Sequence, residues 1–182
     1  MYSPEDWAAI TIGSTDAPQQ RGYQGRALVE VADELGLSPA AAVLRIVERD
    51  RLKTMAFFAG MNRDNMFRIL RQPWVMLGSD ASIRGLSGLL GEDFPHPRAF
   101  GTFPRFLRLV RESGLVSLEE AVRKLSSLPA ARFGLHDRGT IAQGRKADVV
   151  IFDPDRVSDR GTFAAPRRLA CGIRAVIVNG VV

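Results

Sequence analysis

Apolar residues recur at helical spacing through most of the chain and change to strand-like runs near its end. After Gly25, residues Ala27, Leu28, Val31, Ala32 and Leu35 share one helical face, and Gly36 can supply the left-handed residue that closes such a helix. Ser38-Pro39 predicts a second helix, with Ser38 as N-cap, Pro39 in the first turn and Val43, Leu44 and Val47 on the apolar face. Trp7–Ile12 is predicted as a short strand, and Leu52–Phe58, short and mostly apolar, as a buried one. Asn62 is placed to cap a helix running to about Arg71, with Met61 and Met66 at the positions of a hydrophobic staple. Pro73 stops that helix, and Trp74–Leu77 is predicted as another buried strand. The order helix, strand, helix, strand argues for parallel strands in an α/β architecture.

A long loop follows, from Gly78 to about Phe100, rich in Gly, Ser and Pro; loops of this length tend to carry function. Phe103–Arg111 is predicted helical, with Phe103, Phe106, Leu107 and Val110 on one face and Arg105, Arg108 and Arg111 on the other. Ser117-Leu-Glu-Glu120 forms a capping box that opens a helix through Leu125. Pro129–Phe133 makes a last short turn, stopped by Gly134. Beyond it the period becomes strand-like: Thr140–Ala142 and Asp148–Phe152 flank a turn containing Gly144, and Ile173–Val178 is a further strand. The chain is therefore divided near residue 135, into an α/β part (1–135) and a small β part (136–182). Asn179-Gly180 directly after a strand is a strong hairpin signal. A returning strand of about five residues is expected, yet only Val181 and Val182 remain. The expectation is that this strand comes from elsewhere or that the chain is a truncated piece.

Composition narrows the function classes. Apolar residues make up 46% and charged residues 25%, which excludes disorder over most of the chain. The longest unbroken apolar run is five residues, as in Met55–Ala59, where a membrane span needs about 20. The N-terminal residues lack a basic stretch followed by an apolar core, so no secretory signal is expected. The single cysteine, Cys171, permits no internal disulfide and suits a reducing, cytoplasmic setting. Net charge is +5, from 22 Arg and 3 Lys against 20 acids. Such a balance raises the reading of a nucleic-acid-binding module, but the arginines alternate with acids, as in Arg45-Ile-Val-Glu-Arg-Asp-Arg51, and read as solvated helix faces. No nucleic-acid partner and no membrane are expected.

Three places could carry chemistry. Gly78-Ser79-Asp80 stands at the carboxyl end of a predicted strand, where ligands bind in parallel α/β folds and a carboxylate can take a proton from water or hold a metal; the bland alternative is a plain turn. His96-Pro-Arg98, held by prolines and a glycine in the long loop, could orient an anionic substrate; the bland alternative is an exposed imidazole. His136-Asp-Arg138 reads as a linker, and Cys171 as a small buried thiol.

Five segments, in this order and spacing, resemble the N-acyl-D-amino-acid deacylases (D-aminoacylases) of the amidohydrolase superfamily. They are Val75-Met-Leu-Gly-Ser-Asp80, His96-Pro-Arg-Ala-Phe-Gly-Thr-Phe-Pro-Arg105, Leu118–Arg132, Asp137–Asp153 with its Arg-Gly-Thr-Ile-Ala-Gln-Gly-Arg-Lys-Ala-Asp core, and Val176-Ile-Val-Asn-Gly180. The resemblance runs from about Trp7 to the end and covers the C-terminal third of that family. It implies an α/β fold: the C-terminal part of a (β/α)8 amidohydrolase barrel plus strands of a small β-sandwich domain. The helices before Leu52 match a segment inserted late in the barrel, and Trp74–Leu77 its eighth strand. Asp80 is implied as the catalytic aspartate, which activates the attacking water and passes its proton to the leaving amine; Ser79, His96 and Arg98 are implied to contact substrate. Ala81 stands where the family has Gly, and Phe100 where it has Tyr.

The implied cofactor is zinc in the complete enzyme. The family holds it with a His-x-His pair, a cysteine and further histidines, on strands that would precede Met1. This chain has two histidines and no His-x-His, and a catalytic zinc takes three protein ligands, so no metal ligand is assigned here. Barrel strands without their neighbours would have bare edges, and an aggregated or molten state is expected of the chain alone. The expected function is metal-dependent hydrolysis of N-acyl-D-amino acids, by a chain inactive without an N-terminal half. The alternative is a non-catalytic remnant or accessory subunit that pairs with a separate chain.

Overall fold

Residues 3–182 are described, in a computed structural model. They begin with a helix that the apolar pattern did not predict: α1 (Pro4–Ala8), opened by a reciprocal capping box in which Ser3 Oγ accepts from the Asp6 N–H and the Asp6 carboxylate accepts from the Ser3 N–H at 2.7 Å. The strand predicted over Trp7–Ile12 is confined to β1 (Ile10–Ile12). By contacts the chain divides into two units. The first takes the chain as far as Gly60, with Ala81–Ala99 and Gly161–Arg167; the second takes Met61–Asp80, Phe100–Arg160 and Arg168–Val182.

In the first unit, α2 (Leu28–Glu34) ends with Gly36 in the left-handed region (φ 64°), and α3 (Pro39–Arg49) is capped by Ser38 Oγ, as the sequence predicts. β1 pairs antiparallel with β2 (Ala56–Phe58), Ile10 opposite Phe58 and Ile12 opposite Ala56. Ile10, Ile12, Leu28, Val31, Ala32, Ala42 and Ile46 form the core. The predicted face of α3 holds in part: Val43 and Val47 are half-buried and Val43 packs on the core, but Leu44 is exposed and Ala42 and Ile46 are the buried residues. The predicted strand Leu52–Phe58 shrinks to its last three residues. Arg51 and Leu52 adopt positive φ, which breaks an extended run, and Leu52 and Phe58 face outward.

The second unit holds α4 (Arg63–Leu70), α5 (Arg98–Ser113) from Phe100 onward, α6 (Leu118–Leu125), α7 (Ser127–Arg132), β3 (Val149–Phe152) and β4 (Ile173–Ile177). Asn62 caps α4 as predicted. Met61 is exposed, however, so the predicted staple does not form. α5 starts five residues earlier than predicted and accommodates Pro104 within it. The core is Leu70, Phe106, Leu107, Val110, Leu115, Ala121 and Val157, with Leu77, Phe152 and Ile173 packed against it. β3 and β4 pair antiparallel, and Asn179 (φ 51°) and Gly180 (φ 83°) make the predicted tight turn, with Val178 and Val181 exchanging both backbone bonds.

Two predicted strands are absent. Trp74–Leu77 and Thr140–Ala142 are irregular. A strand exists only where a neighbour takes its ladder bonds, and neither segment has one among the described residues. The parallel order inferred from alternating elements is likewise corrected: both described sheets are antiparallel pairs.

Candidate functional site

Asp80 owes its place to the ten residues before it. α4 ends at Leu70, and the chain passes through Pro73 and the irregular Trp74–Leu77 stretch, where Leu77 is packed against the core. Gly78, Ser79 and Asp80 follow. Asp80 has φ 47°, in the left-handed region that non-glycine residues other than Asn and Asp seldom enter. Such a conformation persists only where its surroundings hold it. Asp80 is exposed as a residue and Ser79 is half-buried.

What holds the preceding segment is α6. Lys124 is 1% exposed, and its ammonium donates to the carbonyls of Gln72 and Val75, the latter at 3.0 Å. Beside it, Arg123 Nη2 donates to the Pro73 carbonyl and grips Glu120 through Nε (2.6 Å) and Nη2 (2.8 Å). Burial pushes the Lys124 ammonium below the ordinary lysine range, against the opposing pull of Glu120, 3.7 Å away. The Arg123 hydrogen bond holds the Glu120 carboxyl below the ordinary carboxylate range. The sequence reading missed Lys124. Its signal was position: three residues after Ala121, on the face that α6 buries.

His96 and Arg98 lie in the first unit, whereas Ser79 and Asp80 lie in the second. His96 and Arg98 are brought together directly: the Arg98 N–H donates to His96 Nδ1 at 3.0 Å. An acceptor nitrogen carries no proton, so the neutral imidazole is the Nε2–H tautomer. The ring is half-buried and stands edge-on between Phe57 (4.9 Å, 82°) and Phe163 (5.1 Å, 86°), in favourable T-shaped contacts. Arg98, the first residue of α5, is exposed.

The remaining candidates are structural. Asp137 pairs with Lys146 at 2.8 Å and Arg138 with Asp148 at 2.8 Å, which ties the His136-Asp-Arg138 segment to the strand region. The Cys171 thiol is half-buried and donates to the Arg156 carbonyl. A cleft of about 470 Å³ in the first unit is lined by Arg21, Lys53, Arg84, Asp16 and Asp93 among others. Its charge is largely cancelled by the pairs Lys53–Asp16 (2.7 Å) and Arg84–Asp93 (2.8 Å). Among the described residues no group of three His, Cys, Asp or Glu side chains could hold a metal ion. The donor set of this chain therefore does not fit a catalytic zinc by itself.

The chain matches the model of the Amidohydrolase family over residues 15–182. It is 43% identical over 164 residues to an N-acyl-D-aspartate deacylase of Alcaligenes xylosoxydans xylosoxydans, covering 88% of this chain and 30% of that protein. A D-aminoacylase of the same organism is 43% identical over 157 residues, again 30% of its length. Among solved structures it is similar to an N-acyl-D-glutamate deacylase from Bordetella bronchiseptica, crystallised with zinc and a phosphonate mimic of the tetrahedral intermediate. The TM-score there is 0.79 at 37% identity, over 97% of this chain and 35% of that one. A D-aminoacylase structure gives a TM-score of 0.76 at 38% identity, over 94% and 34%. The chain thus spans about a third of the length of the relatives it matches.

Proposed function

The chain belongs to the amidohydrolase family, and from that premise we propose that it supplies the catalytic aspartate, Asp80, for hydrolysis of the amide bond of N-acyl-D-amino acids. The observation that carries this reading is identity of 37–43% to three deacylases across nearly the whole chain. The left-handed turn at Asp80, within the matched stretch Val75–Asp80, supports it. In this reading residues 1–135 belong to a (β/α)8 barrel and 136–182 to a small β domain, the eighth barrel strand being Trp74–Leu77 once its neighbours are present.

The chemistry of this chain's own groups is simple. A carboxylate at Asp80 takes a proton from water as the water oxygen bonds the acyl carbon. It returns the proton to the nitrogen as the C–N bond breaks, giving a carboxylic acid and a D-amino acid. Ser79, the Nε2–H of His96 and the guanidinium of Arg98 are donors suited to the carboxylate and acyl oxygen of such a substrate. Zinc is proposed for the whole protein, with ligands outside the described residues of this chain. No helix among those residues is long and apolar enough to cross a membrane, and the single cysteine favours a cytoplasmic setting.

A second reading, an accessory chain without catalysis of its own, draws on the exposed apolar side chains Leu52, Phe58 and Trp74 (70–82% exposed). One experiment separates the two. The chain is co-expressed with the N-terminal two thirds of the similar D-aminoacylase, loaded with zinc and assayed on N-acetyl-D-amino acids. Turnover that falls about 10³-fold or more in Asp80→Asn is the expected result. Equal turnover in wild type and Asp80→Asn, or a co-purifying pair with none, overturns the catalytic reading.

A further inference from the structure

Asp80 follows an irregular segment, so the backbone that leads to it is part of what sets its position. We propose that Lys124 of α6, assisted by Arg123, is a positioning residue that fixes the carboxylate of Asp80 by clamping the backbone that leads to it; this deepens the catalytic reading of Asp80 and rests on it.

Three consecutive features support the clamp. First, the segment 72–75 has carbonyls that no helix or sheet satisfies, and α6 reaches two side chains across to them. Lys124 takes the carbonyls of Gln72 and Val75, and Arg123 takes that of Pro73. An ammonium presents three donors and a carbonyl accepts the charge-assisted bond strongly, so the clamp is stiff where the backbone alone is not. Second, Lys124 is almost fully buried, at 1% exposure. A buried ammonium is costly to desolvate and is retained only where polar groups converge on it. An apolar side chain on the same face of α6 would pack without that cost but would leave the carbonyls of Gln72 and Val75 without these donors. Third, Leu77 is set in the same core that Ala121 and Leu125 of α6 line. Carbonyl clamp, Leu77 anchor and the left-handed residue at Asp80 thus follow one another along nine residues, 72–80. A catalytic carboxylate displaced by about 1 Å costs on the order of 10²-fold in rate, so a clamp five residues upstream affects turnover.

The test compares Lys124→Met, Lys124→Arg and Arg123→Met. Hydrogen exchange, kcat and KM are all followed on the co-expressed pair described above. Lys124→Met is expected to speed exchange over residues 73–80 about tenfold or more, leave α5 protected, and lower kcat about 10- to 100-fold with KM within twofold. Lys124→Arg restores part of the kcat, since it returns a cation able to bond carbonyls. Arg123→Met removes a partly exposed residue, so it tests the clamp even if Lys124→Met does not fold; it shifts exchange and kcat in the same direction by less. Unchanged exchange over 73–80, a loss of protection spread evenly over the unit, or a rise in KM with kcat intact overturns the proposal. If Asp80→Asn keeps full turnover the catalytic reading fails instead, and the exchange result distinguishes that failure from this one.

Discussion

Asp50 shows what a single buried carboxylate does when it is fully partnered. It is 2% exposed, and its Oδ1 accepts from the N–H groups of Asp16 (2.8 Å) and Ala17 (2.7 Å), while Oδ2 accepts from Thr54 Oγ1 (2.6 Å). These bonds join the end of α3 to the turn after β1. Asp50→Ala leaves two N–H groups without an acceptor, and each buried donor left unmade costs about 1–3 kcal/mol. A loss of about 2–5 kcal/mol in urea unfolding is expected, with Asp50→Asn losing less because one oxygen is kept. A loss under 1 kcal/mol for Asp50→Ala would show that water replaces the carboxylate. Arg167 is the opposite case: its Nε and Nη2 are buried and have no hydrogen-bond partner among the described residues.

At the scale of one element, α6 shows how side chains trade roles. The Ser117 hydroxyl accepts from the Glu120 N–H at 3.2 Å, as the capping pattern predicts. Glu120, however, turns its carboxylate to Arg123 rather than back to the N-cap, because a guanidinium three residues on offers two charge-assisted bonds in place of one neutral one. Its folded-state pKa lies below the ordinary glutamate value of about 4.3, chiefly through that bond. The resulting stability is present above that value and disappears as pH falls through the lower folded one. The melting-temperature gap between wild type and Glu120→Gln is therefore expected to be full at pH 7 and to narrow as pH falls below the ordinary glutamate range. A gap that stays constant over that range would mean that the pair contributes nothing through its charge.

For the whole molecule, the charge of +5 raised the question of a polyanion partner. Several arginines are engaged locally: Arg108 bonds Asp159 at 2.9 Å and Glu112 at 3.1 Å, Arg123 bonds Glu120, and Arg26 bonds Glu34 at 2.8 Å. On heparin the chain is expected to elute at low salt with a shallow salt dependence; a steep one would instead count several phosphate-like contacts and restore the nucleic-acid reading.

The amino-acid sequence by itself determined what is settled within three or four residues. The caps at Ser38, Asn62 and Ser117, the left-handed stop at Gly36 and the Asn179-Gly180 turn all form where the pattern put them. Each satisfies backbone groups with a side chain or a φ value belonging to its own segment. Family membership was also legible, because it rests on residue order. Tertiary structure alone decided the rest. Whether Trp74–Leu77 is a strand depends on a neighbour to share its ladder. Which face of α3 is buried depends on the cluster that Ala42 and Ile46 join with residues of α2 and β1. That Lys124 is buried at all depends on the carbonyls of Gln72 and Val75, some fifty residues away in sequence. Pairing, burial and charge compensation are properties of two segments at once, and no pattern read along one of them contains the other.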